Sequence, residues 1–171
     1  LDAIEAERRS LDRARAAADV VIDTSDLNPY QLRERVSWHF TDIESDDTSM
    51  RLTVMSFGYK HGLPLDVDLV FDCRFLPNPY WEPDLRSLSG QDPEIVEYVL
   101  NRPSAERFVG DLDQLLSHLL PEYQAEGKSY LTVAFGCTGG RHRSVAIAEH
   151  LAARLETGGW KPRVNHRDIE R

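Results

Sequence analysis

The stretch Gly136-Cys137-Thr138-Gly139-Gly140-Arg141-His142-Arg143-Ser144 gathers a thiol, two hydroxyls, an imidazole, two guanidinium groups and three glycines. Cys137 stands six positions before Arg143, and Ser144 follows. That is the Cys-x5-Arg-Ser spacing of cysteine-dependent phosphatases, in which a thiolate attacks phosphorus and the arginine grips the equatorial oxygens. Two other readings of Cys137 stay open at this point, a small buried residue at a strand end and a residue lining a ligand site. A Walker A loop is excluded, because neither the Lys-Ser pair nor the second glycine falls at the required spacing. Glycines let a backbone approach an anion closely, and Arg141, His142 and Arg143 supply charge or hydrogen bonds. The stretch therefore has the makings of a phosphate cradle.

The flanking residues say how such a cradle is held. Tyr130 to Phe135 is rich in aromatic and β-branched residues and short enough for a strand, whereas Val145 to Leu155 carries apolar residues at helical spacing. A strand, a glycine loop and a helix follow one another. The free N–H groups of the first helical turn then point into the loop, and the helix dipole favours an anion there. Met50 to Phe57 predicts another strand, with Leu52 and Val54 on one face, and it delivers Lys60 and His61 into a loop punctuated by glycine and proline. Asp66 to Asp72 predicts a third, mostly buried strand, ending in Asp72, Cys73 and Arg74 before the stiff loop from Phe75 to Trp81. Strands alternating with helices imply an α/β fold, a sheet with flanking helices, in which ligands bind at the carboxyl ends of strands. If the three strands are neighbours, Lys60, His61, Asp72 and Arg74 converge on the loop. The alternatives are a solvent loop for the first two and a structural ion pair for the last two.

Elsewhere the pattern predicts an amphipathic helix over residues 1–18, a short buried strand at Asp19 to Asp23, and a helix capped at Asn28-Pro29 that runs to Trp38 or Phe40. The first helix has no cap, as expected of a chain cut from something longer. Small polar and acidic residues from Asp42 to Ser49 mark a boundary. Asp92-Pro93 opens a helix to Leu100, and Ser104 to Ala125 forms the longest helix, with a stripe of Phe108, Leu112, Leu115, Leu116, Leu119 and Tyr123. His118 beside that stripe has no expected ligand role. The tail from Lys161 to Arg171 can begin as an edge strand.

At 171 residues the chain suits one domain, or one domain and part of another. No apolar run is long enough to span a bilayer and no signal-peptide pattern opens the chain, so no membrane partner and a cytoplasmic location are expected. Cys73 and Cys137 are too few for a disulfide framework, no Cys/His cluster has metal-ligand spacing, and reduced thiols are the default. A net charge of −9 argues against a broad nucleic-acid face.

Three segments, Ser56 to Gly62, Phe71 to Trp81 and Gly136 to Val145, together resemble the RapZ/YvcJ family of bacterial nucleotide-binding proteins, the RNase adapter proteins. The resemblance implies that residues 1–41 are the end of a P-loop kinase-like domain with its exit helix, 42–49 a linker, and 50–171 a ligand-sensing, regulatory domain. ATP or GTP binding and hydrolysis would belong to the N-terminal nucleotide-binding domain, leaving no cofactor in this chain. The family's sugar-phosphate pocket, which senses an amino-sugar phosphate such as glucosamine-6-phosphate, would carry over to His61, Thr138, Gly139, Gly140, His142, Arg143 and Ser144. Small RNA, an endoribonuclease and a homo-oligomeric state are the further partners implied. The tail cations Lys161, Arg163, Arg167 and Arg171, interrupted by Asp168 and Glu170, would meet RNA phosphates in a strongly salt-dependent way. The resemblance favours binding without turnover, and phosphatase chemistry by Cys137 and Arg143 is the alternative.

Overall fold

A computed structural model describes residues 2–40 and 50–171. The chain divides into two compact units, residues 1–48 and 49–171. The expected linker over 42–49 lies outside the described residues.

In the first unit, α1 (Asp2–Ala16) and α2 (Pro29–Phe40) form where the pattern placed helices. Asn28 Oδ1 accepts the Gln31 N–H and Gln31 Oε1 accepts the Asn28 N–H, both at 2.9 Å, so each satisfies a donor that the helix start leaves free. Ile4 and Leu11 of α1 are exposed. The strand expected at Asp19 to Asp23 does not form. Val20, Val21 and Ile22 are half-buried in irregular backbone with no ladder partner among the described residues, and Asp23 instead closes a turn by accepting the Ser25 N–H and O–H.

The second unit is built on a four-stranded parallel sheet in the order β2-β3-β1-β4, comprising β1 (Arg51–Gly58), β2 (Leu69–Asp72), β3 (Tyr130–Cys137) and β4 (Arg163–His166). The two central strands are buried on both faces, which is why they are nearly continuous apolar runs rather than alternating ones. β2 is shorter and more exposed than the sequence suggests. At its start the Asp68 carboxylate accepts the Thr132 N–H at 2.8 Å and pairs with Lys128 at 2.9 Å, so a side chain replaces a ladder bond and Asp66 to Asp68 stay outside the strand. As an edge strand it alternates half-buried and exposed residues.

Helices α3 (Pro93–Leu100), α4 (Pro103–Ala125) and α5 (Arg143–Thr157) share one large apolar core with the sheet, including Leu52, Val54, Val133 and Phe135. A small second cluster, Met55, Phe57 and Ala134, occupies the other face. On α4 the buried stripe is Ala105, Val109, Leu112, Leu116 and Leu120, while Leu115 is exposed. The stripe is thus rotated from the expected one, leaving Phe108 and Tyr123 at its margin. Among the described residues no helix is long and apolar enough to cross a membrane.

Candidate functional site

The parallel order puts β3 between β1 and β2, so the three strands that carry polar residues at their carboxyl ends are neighbours. β1 ends at Gly58, in register with Cys137, and β2 ends at Asp72, in register with Gly136. Beyond Gly58 a single 3-10 turn, Tyr59–His61, is tied to the glycine loop by the Lys60 N–H, which donates to the Thr138 carbonyl at 3.2 Å. Two glycines make the close approach of β1 and the loop possible. A Cβ on Gly58 would overlap the Gly139 carbonyl group and come within 2.8 Å of the Gly140 nitrogen, and Gly140 has φ +80°, where side chains are strained. Gly58→Ala therefore pushes the loop off β1. We expect a loss of about 1–3 kcal/mol in chemical denaturation, typical of overpacking.

Arg143 opens α5 and is only 4% exposed. Its Nη1 donates to the carbonyls of Arg74 at 2.8 Å and Leu76 at 3.1 Å, and its Nη2 donates to Thr138 Oγ1 at 3.1 Å. Nε is buried and has no hydrogen-bond partner. One edge of the guanidinium is thus fixed to the turn after β2, while a donor on the opposite edge is left without an acceptor. An oxyanion reaching Nε would supply the missing acceptor. The first-turn N–H groups of α5 add donors of the same sign.

Arg141 behaves otherwise. Its guanidinium is consumed by the carbonyls of Leu88, Ile169 and Ser87, at 3.0, 2.9 and 2.9 Å. The expected charge contact from Arg141 is therefore replaced by a structural one that pins the segment around Ser87 and the tail to the loop, because residues 141 and 143 leave the loop in different directions. His142 is buried, and burial pushes its pKa down while the backbone carbonyls of Arg86 and Leu88 oppose the shift. Its Nε2 has no partner, and neither has His61 Nε2 in the neighbouring 3-10 turn.

Cys137 lies at the floor of the loop, 2% exposed. Its sulfur accepts the Gly140 N–H at 3.2 Å and lies 3.1 Å from Ser144 Oγ. The thiol thus shapes the turn through 138–140. Thr138 is exposed and Gly139 half-buried. The Lys60 ammonium, also exposed, would stand 3.9 Å from a Cβ on Gly139, so its charge hangs over the open side of the loop.

Asp72 and Arg74 form a bidentate pair, with distances of 2.6–3.0 Å. Arg74 also lies over the Tyr59 ring at 4.1 Å. The hydrogen bond from Arg74, against the opposing effect of burial, holds the Asp72 carboxyl below the usual carboxylate range. The pair thus takes the structural role left open by the sequence, while the Arg74 backbone carbonyl serves Arg143. Among the described residues no group of three or more His, Cys, Asp or Glu side chains could hold a metal ion.

The tail supplies a residue that the sequence reading passed over. Asp168 is fully buried, and its Oδ2 accepts the Gly58 N–H at 2.7 Å and the Arg167 Nε and Nη2 at 3.0 and 2.7 Å. Arg167 continues to the carbonyls of Gly58 and Gly62. Arg167 is accordingly bound into the floor of the site, and Arg171 lies 3.4 Å from Asp168 Oδ1. Lys161 is exposed and Arg163 half-buried in β4. The four cations do not make one face of free charges. Only the short polar run after Val164, ending an edge strand in His166-Arg167-Asp168, hinted that the tail turns back under the sheet.

A family model described as the RapZ C-terminal domain matches residues 50–170. A nucleotide-binding protein of Streptomyces coelicolor is 50% identical over 171 residues, covering 100% of this chain and 56% of its own length. One from Thermobifida fusca is 49% identical over 170 residues, 99% of this chain and 57% of its own, and one from Saccharopolyspora erythraea is 51% identical over 171, with 99% and 58% covered. The chain thus spans little more than half the length of these curated relatives. With the glycine loop, its buried arginine and the three strand ends all inside the matched segment, the chain belongs to the RapZ family and carries that family's C-terminal domain.

Proposed function

We propose that residues 136–144 hold the phosphate of a phosphorylated metabolite, an amino-sugar phosphate such as glucosamine-6-phosphate, and that the unit is a sensor rather than an enzyme. The observation that carries this reading is the Arg143 guanidinium, buried, anchored by two carbonyls and left with an unpartnered Nε. Arg143 and the N–H groups at the start of α5 take the phosphate oxygens, Lys60 neutralises charge from the open side, and His61 and His142 meet the sugar. Ligand occupancy is then passed to the nucleotide-binding domain that the relatives' names imply, where ATP or GTP would be bound. RNA capture by the tail gains no support from the geometry, since Arg167 is already paired with Asp168.

A second reading has one observation in its favour. The Cys137 sulfur, with Gly140 N–H and Ser144 Oγ beside it, has the surroundings of a thiol nucleophile. Against it, Asp72, the carboxylate in register with the loop, is held ionised by Arg74 and is poorly suited to protonate a leaving group.

Calorimetric titration with glucosamine-6-phosphate, glucosamine and inorganic phosphate decides between these readings when free phosphate is followed alongside. Saturable binding of the whole ester with no phosphate released over hours is the expected result. Release of phosphate that depends on Cys137 transfers the site to the enzyme reading, and no binding of any phosphate ester removes the pocket.

A further inference from the structure

Cys137 ends β3, and Cys73, far from it in sequence, directly follows the neighbouring strand β2. The last pair of the β2–β3 ladder is Asp72 with Gly136. The Cys73 N–H then donates to the Gly136 carbonyl at 2.7 Å, the bond that in a parallel ladder sets residue 73 opposite residue 137. Side chains alternate along strands, so the faces can be read two residues back. There Phe71 and Phe135 stack with ring centroids 5.7 Å apart, on the face covered by the helices. Continued one residue past β2, that register puts both cysteines on that face, one rung above the stacked rings, and Cys73 belongs to the same apolar cluster as Phe135. Neighbouring strands are about 4.7–4.9 Å apart, inside the Cα separation of roughly 4.4–6.8 Å that a disulfide spans.

Both cysteines are buried, at 0% and 2% exposure, and both are free thiols. Burial pushes the Cys73 thiol strongly up, and the neighbouring Cys137 adds to the shift. Cys73 is thus a poor first nucleophile. Cys137 lies in the loop floor, where its sulfur accepts the Gly140 N–H and stands beside Ser144 Oγ, directly before the exposed Thr138.

We propose that Cys73 and Cys137 form an oxidisable dithiol beneath the phosphate loop, and that its closure to a disulfide disassembles the loop. A peroxide is the oxidant. The Cys137 thiolate attacks one peroxide oxygen, the O–O bond breaks, and a sulfenic acid and hydroxide result. The Cys73 sulfur then attacks the sulfenic sulfur, the S–S bond forms as the S–O bond breaks, and the departing hydroxide takes up the Cys73 proton. Two thiols and one hydrogen peroxide become one disulfide and two waters. Turning towards Cys73 withdraws the Cys137 sulfur from Gly140 N–H and Ser144, the contacts that hold the turn. The same cross-link fixes the chain next to Arg74 and Leu76, whose carbonyls anchor Arg143. The effect on binding rests on the phosphate reading above, whereas disulfide formation does not.

The experiment treats the reduced, native chain with hydrogen peroxide, then unfolds it, alkylates remaining thiols and maps the peptides. The expected product is a monomer lighter by two hydrogens, unreactive to alkylation and linked between Cys73 and Cys137, with affinity for glucosamine-6-phosphate lowered at least about tenfold and restored by dithiothreitol. Cys73→Val, a buried apolar replacement, should gain oxygen at Cys137 instead of cross-linking, and Cys73→Ser provides the same test if Val packs poorly. Two thiols still alkylatable after peroxide, or a link only between molecules, overturns the proposal. An intramolecular disulfide with unchanged affinity overturns the disassembly of the loop. If the reduced chain binds no phosphate ester while the disulfide forms, the phosphate reading fails and the dithiol stands.

Discussion

On the proposed reading, Arg143→Ala is expected to weaken phosphate-ester binding sharply and also to lower stability. A charge-assisted hydrogen bond is worth about 1.5–3 kcal/mol, so losing the one that Nε would make to the phosphate weakens the dissociation constant by roughly ten- to a hundredfold. The stability loss has a separate origin. Nη1 satisfies the carbonyls of Arg74 and Leu76 in the turn after β2, and a buried carbonyl left without its donor costs about 1–3 kcal/mol. Titration calorimetry and urea denaturation separate the two effects, with Arg143→Lys as the informative companion. Lysine keeps the charge but not the fork, so it should retain weak, salt-sensitive affinity without restoring both carbonyl bonds. An Arg143→Ala chain that binds the ester as tightly as the parent removes Arg143 from the site.

Asp168→Ala should be the most destabilising single change in the second unit. It deletes a fully buried carboxylate, leaves the Gly58 N–H without its acceptor, and strands Arg167, whose side chain is 17% exposed. Breaking a buried pair by removing one partner costs on the order of 3–5 kcal/mol, because the remaining charge is uncompensated. The double variant Arg167→Met with Asp168→Ala should recover part of that loss, and a double-mutant cycle in denaturant measures how much. If Asp168→Ala unfolds at the same denaturant concentration as the parent, the pair does not hold the site floor.

Much of this architecture could be read along the chain. The strand, glycine loop and helix around Cys137 were legible because a buried parallel strand and an amphipathic helix have different periods, and three glycines separate them. Asn28 caps α2 by local chemistry alone, whereas α3 starts at Pro93 without a side-chain cap, the Asp92 carboxylate accepting from Ser89 instead. What stayed hidden depended on partners distant in sequence. Strand order decided whether Lys60 and Asp72 approach the loop, and no local pattern encodes it. Val20 to Ile22 has strand composition but no ladder partner among the described residues. On α4, leucines at 115 and 120 are equivalent by type, and only the packing surface of α5 and the sheet selects Leu120 for burial. Arg141 and Arg143 are likewise equal on paper, yet one is spent on carbonyls and the other retains an unpartnered donor. Asp168 was invisible as a site residue because it looked like an interruption in a basic tail, whereas β4 pairing with β1 carries it beneath Gly58.

That last pairing has a consequence for how the protein is made. Ser56 and Gly58 meet His166 and Asp168 across 110 residues of chain. Contacts of such long range are the slowest to form, and a chain emerging from the ribosome acquires its segments in order. The nascent chain can build α3, α4 and the β1–β3 pairing before residues 163–168 have left the exit tunnel. Until then Gly58 lacks the carboxylate that holds it, and the loop it abuts has no fixed wall. This wall of the candidate site therefore closes only once residues 163–168 have been synthesised, well after β1 and β3.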